Sequence, residues 1–415
     1  MTDGPHHDVE RAFRAAWPQV VRALAVATRS LDLGEEYAAE AFARAAGRPP
    51  GEVDDLAAWC VQVGRRAWLD DVRRQQRFDR LLPDLAAGHG PDPTAMESEH
   101  TPGDDLDDRL ALLFVACDEA LAPGAQLVLA MRVVLGLDTR RIASHLGIAE
   151  ATAAARLTRA KGALARARGE FVVPTGPARR QRLPVVLACV AGLLTVGQRD
   201  VVAPADPADD PARDALNLAE ALVAEHPDCA EAVGLRAVCR LALARRPGRV
   251  RDGVALPIDE VDRTAWDPAL LTAGLDDASR AAGLSPSPPG RFVLEAAISG
   301  VHAAAPNAAR TDWDRLTLLY DALVEAWPSP AVEVGRLVVA GRRGLRDGAD
   351  LGDVEARLEA LVADGPAYAA RDAGLALADL AHRAGRREEA AARYRELVEV
   401  VPEGPLREFC RRRAV

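Results

Sequence analysis

Apolar residues recur at three- and four-residue spacing through most of the chain, as in Val20, Val21 and Leu24 and again in Leu56, Trp59 and Val63. No long Val/Ile/Thr-rich alternation interrupts them. That periodicity turns one face of a segment toward a core only if the segment is helical. The segments end at helix breakers: Gly-Arg-Pro-Pro-Gly at 47–51, then Pro227, Pro247, Gly283 to Pro289, Pro328 to Pro330 and Gly365-Pro366. With 415 residues, 49% of them apolar and 4% aromatic, the chain can bury two or three cores but lacks the composition of a sandwich or barrel. The fold class is read as all-α.

Charge divides the chain further. The net charge is -10, yet residues 109–183 carry an excess of +7, against -8 in the short segment 84–108 and -8 in 184–415. A basic module between acidic neighbours attracts a polyanion locally, because salt screens charge beyond about 8 Å. Five parts follow: a helical unit at 1–83, an acidic Gly/Pro/Ser-rich tether at 84–108, a second helical unit at 109–170, a connecting helix and Pro-rich linker at 171–212, and helical pairs from 213 to 415.

Several function classes are excluded. The six cysteines form no CxxC pair and have no histidine at metal-ligand spacing, so they read as reduced core thiols in a cytoplasmic protein, with no metal. The polar N-terminus lacks a signal core. Val185 to Val196 is apolar and follows Arg179, Arg180 and Arg182, but a dozen residues fall short of the roughly 18 needed to span a bilayer, so it reads as a buried helix and no membrane partner is expected. There is no Gly-rich phosphate loop and no Gly-x-Ser-x-Gly elbow, hence no cofactor, no catalytic residue and no enzyme. His302 reads as a helix histidine satisfied in a core.

The most specific local pattern spans 139–164. Ile142, Ala143 and Leu146 give one helix an apolar face, Gly147 supplies a sharp turn, and Ala151, Ala155 and Leu157 supply contacts for a second helix. That helix carries Arg156, Arg159 and Lys161 outward, with Thr152 near its start. This is a helix-turn-helix pattern, whose second helix enters the major groove; Arg suits guanine O6 and N7, and Thr a thymine methyl. In 57–78, Trp59, Trp68 and Phe78 alternate with Arg65, Arg66, Arg73 and Arg74, the mixture a single-strand binder uses. Trp59 fits a core position better than a stacking surface.

The order of these parts resembles a bacterial extracytoplasmic-function (ECF) sigma factor of the sigma-70 family, in the subgroup with a C-terminal TPR-like extension. The resemblance rests on Glu35-Glu36-Tyr37-Ala38-Ala39-Glu40-Ala41-Phe42, at the place of a polymerase-binding helix, and on Arg65, Asp70, Arg73 and Arg74. It rests also on DRTAWD (262–267), RFVLEAAISGVHA (291–303), TDWDRLTLLYDAL (311–323) and PLREFCRRR (405–413). The pair at 367–402, with Ala378, Gly385, Ala390, Tyr394 and Pro402, is TPR-like.

The resemblance implies a region 2 bundle docking on core RNA polymerase through Glu35, Glu36, Glu40 and Phe42, and reading the -10 element through Arg65, Arg66, Arg73 and Arg74. It implies a region 4 reading the -35 element through Thr152, Arg156, Arg159 and Lys161. The extension is expected to regulate in cis and to bind a regulatory protein. The sequence departs from the family pattern at Ala39, at Asp71 and at Ala116-Cys117-Asp118-Glu119. The alternative reading is a diverged sigma-like regulator or TPR-like interaction module that no longer initiates transcription.

Overall fold

The computed structural model describes residues 5–48, 53–81, 106–198 and 209–415. It is 77% helical, with 18 α-helices among the described residues, and divides into two compact units, Met1–Val196 and Gly197–Val415. The acidic tether lies outside the described residues up to position 105, as does the Pro-rich run up to 208.

In the first unit α1 (Pro5–Thr28), α2 (Leu31–Ala46) and α3 (Leu56–Leu81) pack mutually. Ser30 caps α2 through the Leu33 N–H, and Gly34 lets α2 approach α1: a Cβ there would lie 2.5 Å from the Ala25 backbone nitrogen. Phe13, Trp17 and Phe42 meet as an aromatic cluster with centroids 4.7 to 5.8 Å apart. Phe42 is thus a packing residue, buried between α1 and α2 rather than offered to solvent.

Continuing the unit are α4 (Asp108–Ala116), α5 (Pro123–Val133), α6 (Thr139–Leu146), α7 (Glu150–Arg168) and α8 (Gly176–Gly197). Arg22 of α1 holds the start of α4, donating from Nη1 to the Leu106 carbonyl and to Asp108, each at 2.8 Å. The apolar run 185–196 belongs to a helix of 22 residues, long and apolar enough by length and composition to cross a bilayer. Helix extension back to Gly176 makes it longer than its apolar stretch. Val186, Leu187, Val190, Leu193 and Leu194 are nevertheless buried in the fold.

The second unit is an array of α9 (Pro211–Glu225), α10 (Ala230–Arg245), α11 (Pro268–Leu284), α12 (Arg291–Ala304), α13 (Trp313–Ala326), α14 (Pro330–Asp347), α15 (Gly352–Asp364), α16 (Ala367–Arg383), α17 (Arg387–Val400) and α18 (Pro405–Arg413). Between α10 and α11 a short hairpin pairs β1 (Val250–Arg251) with β2 (Val254–Ala255), Val250 opposite Ala255. Consecutive helices bury their small-residue faces on one another, and Asp277 of α11 accepts from both Arg236 and Arg240 of α10. In the α16–α17 pair Ala378, Ala390 and Tyr394 are buried, and Gly385 makes the turn at φ +79°. At the far end α18 packs on β2 and Arg413 pairs with Glu260 at 2.6 Å, which brings the end of the array back to the hairpin.

Candidate nucleic-acid interface

The second helix of the turn motif is positioned by its surroundings within the first unit. Asp138 caps α6 by accepting from the Arg141 N–H at 2.7 Å, and Gly147 ends α6 in the left-handed conformation, φ +62°, where its N–H reaches the carbonyls of Ala143 and Ser144. Arg141 pairs with Glu10, tying α6 to α1. On α7 the buried residues are Ala153, Ala160 and Leu164, not Ala151 and Ala155, which are exposed. With α7 beginning at Glu150, that register turns 153, 160 and 164 inward.

Thr152, Arg156 and Arg159 stand exposed along the outer side of α7. Lys161 does not join them. Its side chain is 17% exposed and turns inward, Nζ lying 2.6 Å from Glu35 Oε2 and 3.0 Å from Asp32 Oδ1 of α2. The outward placement read from the sequence is corrected: Lys161 sits one residue past the inward position 160, within reach of a buried carboxylate. The ammonium approaches Oε2 outside hydrogen-bond alignment, so the contact is an ion pair. Glu35 is 5% exposed and also accepts from Arg132 Nε of α5 at 2.5 Å. Arg132 in turn lies over the Trp17 ring at 5.5 Å, and Trp17 Nε1 donates to the Arg132 carbonyl at 3.2 Å. Of the acidic residues assigned to polymerase, Glu35 is thus engaged inside the unit, Glu36 is exposed and Glu40 pairs with Arg44 at 2.5 Å.

On α3, Arg65, Arg66, Arg73 and Arg74 are all exposed; Arg73 lies 3.5 Å from Asp70 and Arg74 3.2 Å from Asp71. Trp68 is buried and Trp59 half-buried under Arg48, while Phe78 is 57% exposed. Only Phe78 of the three rings is a free stacking surface. Asp71, where the family pattern has a basic residue, accepts from the Tyr37 hydroxyl at 3.1 Å. Burial, and then Asp71, push the Tyr37 phenol up to about 12.

One residue with a large structural role was visible only as a departure. Asp118 is buried and accepts from Arg168 Nε and Nη2 at 2.8 and 3.0 Å, with Arg182 Nη2 at 2.9 Å. It thereby anchors the end of α7 and the start of α8. Burial opposes its charge, but Arg168, the Ala120 N–H and Arg182 hold the carboxyl below its ordinary range. No aligned apolar pattern announces such a carboxylate; an acid standing between two basic helix ends was the available signal.

Residues 112–164 match the family Sigma-70, region 4, and residues 182–282 match a family of unknown function (DUF6596). Uncharacterized protein R00370 of Rhizobium meliloti is 33% identical over 339 residues, covering 81% of this chain and 80% of its own. The chain belongs to the same family as R00370, and its segment 112–164 is similar to sigma-70 region 4. A more distant relative, Probable ECF RNA polymerase sigma factor SigI of Mycobacterium tuberculosis, is 27% identical over 142 residues, which is 34% of this chain and 49% of SigI. No solved structure matches. For this family member the region 4 match covers α6 and most of α7, so Thr152, Arg156 and Arg159 lie within the matched segment.

Proposed function

We propose that the protein is an ECF-type transcription initiation factor that binds core RNA polymerase and promoter DNA. The observation that carries this reading is the exposed row Thr152, Arg156 and Arg159 on the helix after the Gly147 turn. Two guanidiniums on that face suit guanine edges or phosphates of a -35 element, and the Thr methyl suits thymine. Arg65, Arg66, Arg73 and Arg74 with Phe78 supply the corresponding charge and ring for a melted -10 strand. Glu36 is exposed to polymerase without rearrangement; Glu40 becomes available once Arg44 releases it, and Glu35 once Lys161 and Arg132 do.

The unit 197–415 acts in this reading as a cis regulator, the TPR-like array holding a regulatory partner or completing the active factor. If it completes the factor, removal of residues after about 205 abolishes transcription while promoter binding survives. A second reading, a sigma-like regulator that no longer initiates, is favoured by the burial of Glu35. Size-exclusion chromatography with purified core polymerase separates the two. Co-elution of the full chain supports the first, and elution as a free protein at micromolar concentrations supports the second.

A further inference from the structure

Within the second unit a cavity of about 180 Å³ lies between α10, the segment from the hairpin to Trp266, and His302 of α12. Among the described residues two arginines line it, Arg245 at the end of α10 and Arg249 just before β1, and no carboxylate lines it with them. Arg245 Nε is spent on the Leu241 carbonyl, at 3.0 Å; the other guanidinium nitrogens of Arg245, and all of those of Arg249, have no acceptor among the described residues. Nearby Arg263 donates through Nη1 to the carbonyls of His302 and Ala305 and leaves a buried Nη2 unpaired. Elsewhere in this unit half-buried arginines find acids, as Arg246 finds Asp210 at 2.5 and 3.1 Å and Arg236 finds Asp277. The cavity is where that pattern fails.

Three further polar groups that line the cavity are also unpaired among the described residues. Trp266, 8% exposed, has a buried Nε1 with no acceptor, and Gln198 Nε2 is in the same state. His302 Nδ1 is buried without a partner, contrary to a histidine satisfied in a core. Burial and the cations of Arg245, Arg263 and Arg342 push the imidazole down to about 4, so His302 is neutral and adds no charge of its own. Burial and the Arg249 and Arg263 cations likewise bring the Arg245 guanidinium down to about 10. The remaining wall is apolar: Ala242, Leu256, Ile258 and Val261.

Unpaired buried donors and like charges side by side are each costly, and folded proteins retain such groups where a ligand satisfies them. Planar guanidiniums match a carboxylate or phosphate oxygen pair, and the indole N–H and the amide supply neutral donors to the same oxygens. An apolar wall selects a body on the anion rather than a bare ion, and the volume is that of a cavity taking a benzene-sized molecule. We infer that the C-terminal unit binds a small organic carboxylate with a compact apolar body, its oxygens held by Arg245, Arg249, Gln198 and Trp266. Most of these residues fall in the 182–282 segment that matches a family of unknown function. Binding to this site is read without polymerase or DNA, so its failure and that of the transcription reading are distinguishable.

The test is thermal melting and isothermal titration of the full chain with sodium benzoate, sodium isovalerate, inorganic phosphate and the neutral benzamide. At least one of the two carboxylates should raise the melting temperature and release or absorb heat at one site per chain, while benzamide should not. Phosphate should do no more than sodium chloride. Arg249→Gln should weaken the carboxylate about tenfold, the loss of a charge-assisted hydrogen bond, and Trp266→Phe should weaken it less. Without ligand, Arg249→Gln should melt no lower than the parent, because it removes a half-buried charge that no acid among the described residues compensates. The inference is overturned if neither carboxylate shifts the melt, if benzamide or phosphate matches the carboxylates, or if Arg249→Gln melts well below the parent without ligand, which would mark that arginine as structurally partnered.

Discussion

Lys161, the single lysine of the chain, lies with its Nζ 2.6 Å from Oε2 of Glu35. One residue comes from the helix assigned to DNA and the other from the helix assigned to polymerase. Their pairing means that α7 and α2 occupy each other in this arrangement, and that any partner needing Glu35 must first displace the ammonium.

That pairing can be read directly, because acylating reagents have one lysine side chain to modify. Lys161 should acetylate slowly in the free protein and several-fold faster in Glu35→Gln, measured by mass spectrometry against the N-terminal amine. Lys161→Ala should cost about 1–3 kcal/mol in urea unfolding, since Glu35 keeps Arg132. Rapid acetylation of the parent protein would show that the pair is open in solution.

Promoter affinity should depend on Arg156 and Arg159 and not on Lys161 as a base reader. Each arginine that reads a base should cost about 1–3 kcal/mol on replacement by Ala, and each that holds a phosphate should flatten the salt dependence by about one unit of slope. Fluorescence anisotropy with a fragment of the gene's own upstream region measures both. Unchanged binding by the double variant would remove α7 from the interface.

Asp118 sets a pH dependence of stability. Its folded carboxyl lies below the ordinary value of 3.8, so the stability it contributes is present above that value and is lost as pH falls through the lower folded one. Between pH 7 and pH 3 the parent should therefore lose more stability than Asp118→Asn, which starts lower because Arg168 and Arg182 face a neutral amide. Parallel stability curves for the two proteins would contradict the assignment of the anchor.

Gly34→Ala should loosen α1 from α2 and destabilise the first unit by about 1–3 kcal/mol, the range for overpacking a tight contact. The added carbon meets backbone atoms of Ala25 at 2.5 and 2.6 Å, and backbone has little room to yield. Chemical denaturation followed by circular dichroism measures the loss.

The turn motif was legible because its signals are local: Ile142 and Ala143 on one face, Gly147 at the turn, arginines on the next helix. The all-helical architecture was legible for the same reason, through spacing and breakers. The partner of Lys161 was not legible, since charge at a helix position says nothing of a carboxylate far away in sequence, and the register that turns Ala153 and Ala160 inward differs subtly from one using Ala151 and Ala155. Asp118 and Asp71 stood out only as misfits to a family pattern; their roles come from Arg168, Arg182 and Tyr37, which tertiary packing brings to them. Arg245 and Arg249 form no motif at all, and only the fold places them in one cavity with Trp266.

Initiation of transcription is measured by run-off synthesis with purified core polymerase, the full-length protein and a template carrying the gene's own upstream region. A discrete transcript that requires the protein and disappears with Arg156→Ala/Arg159→Ala is expected. No transcript from that template or from a randomised promoter library, with an active core enzyme, would contradict it.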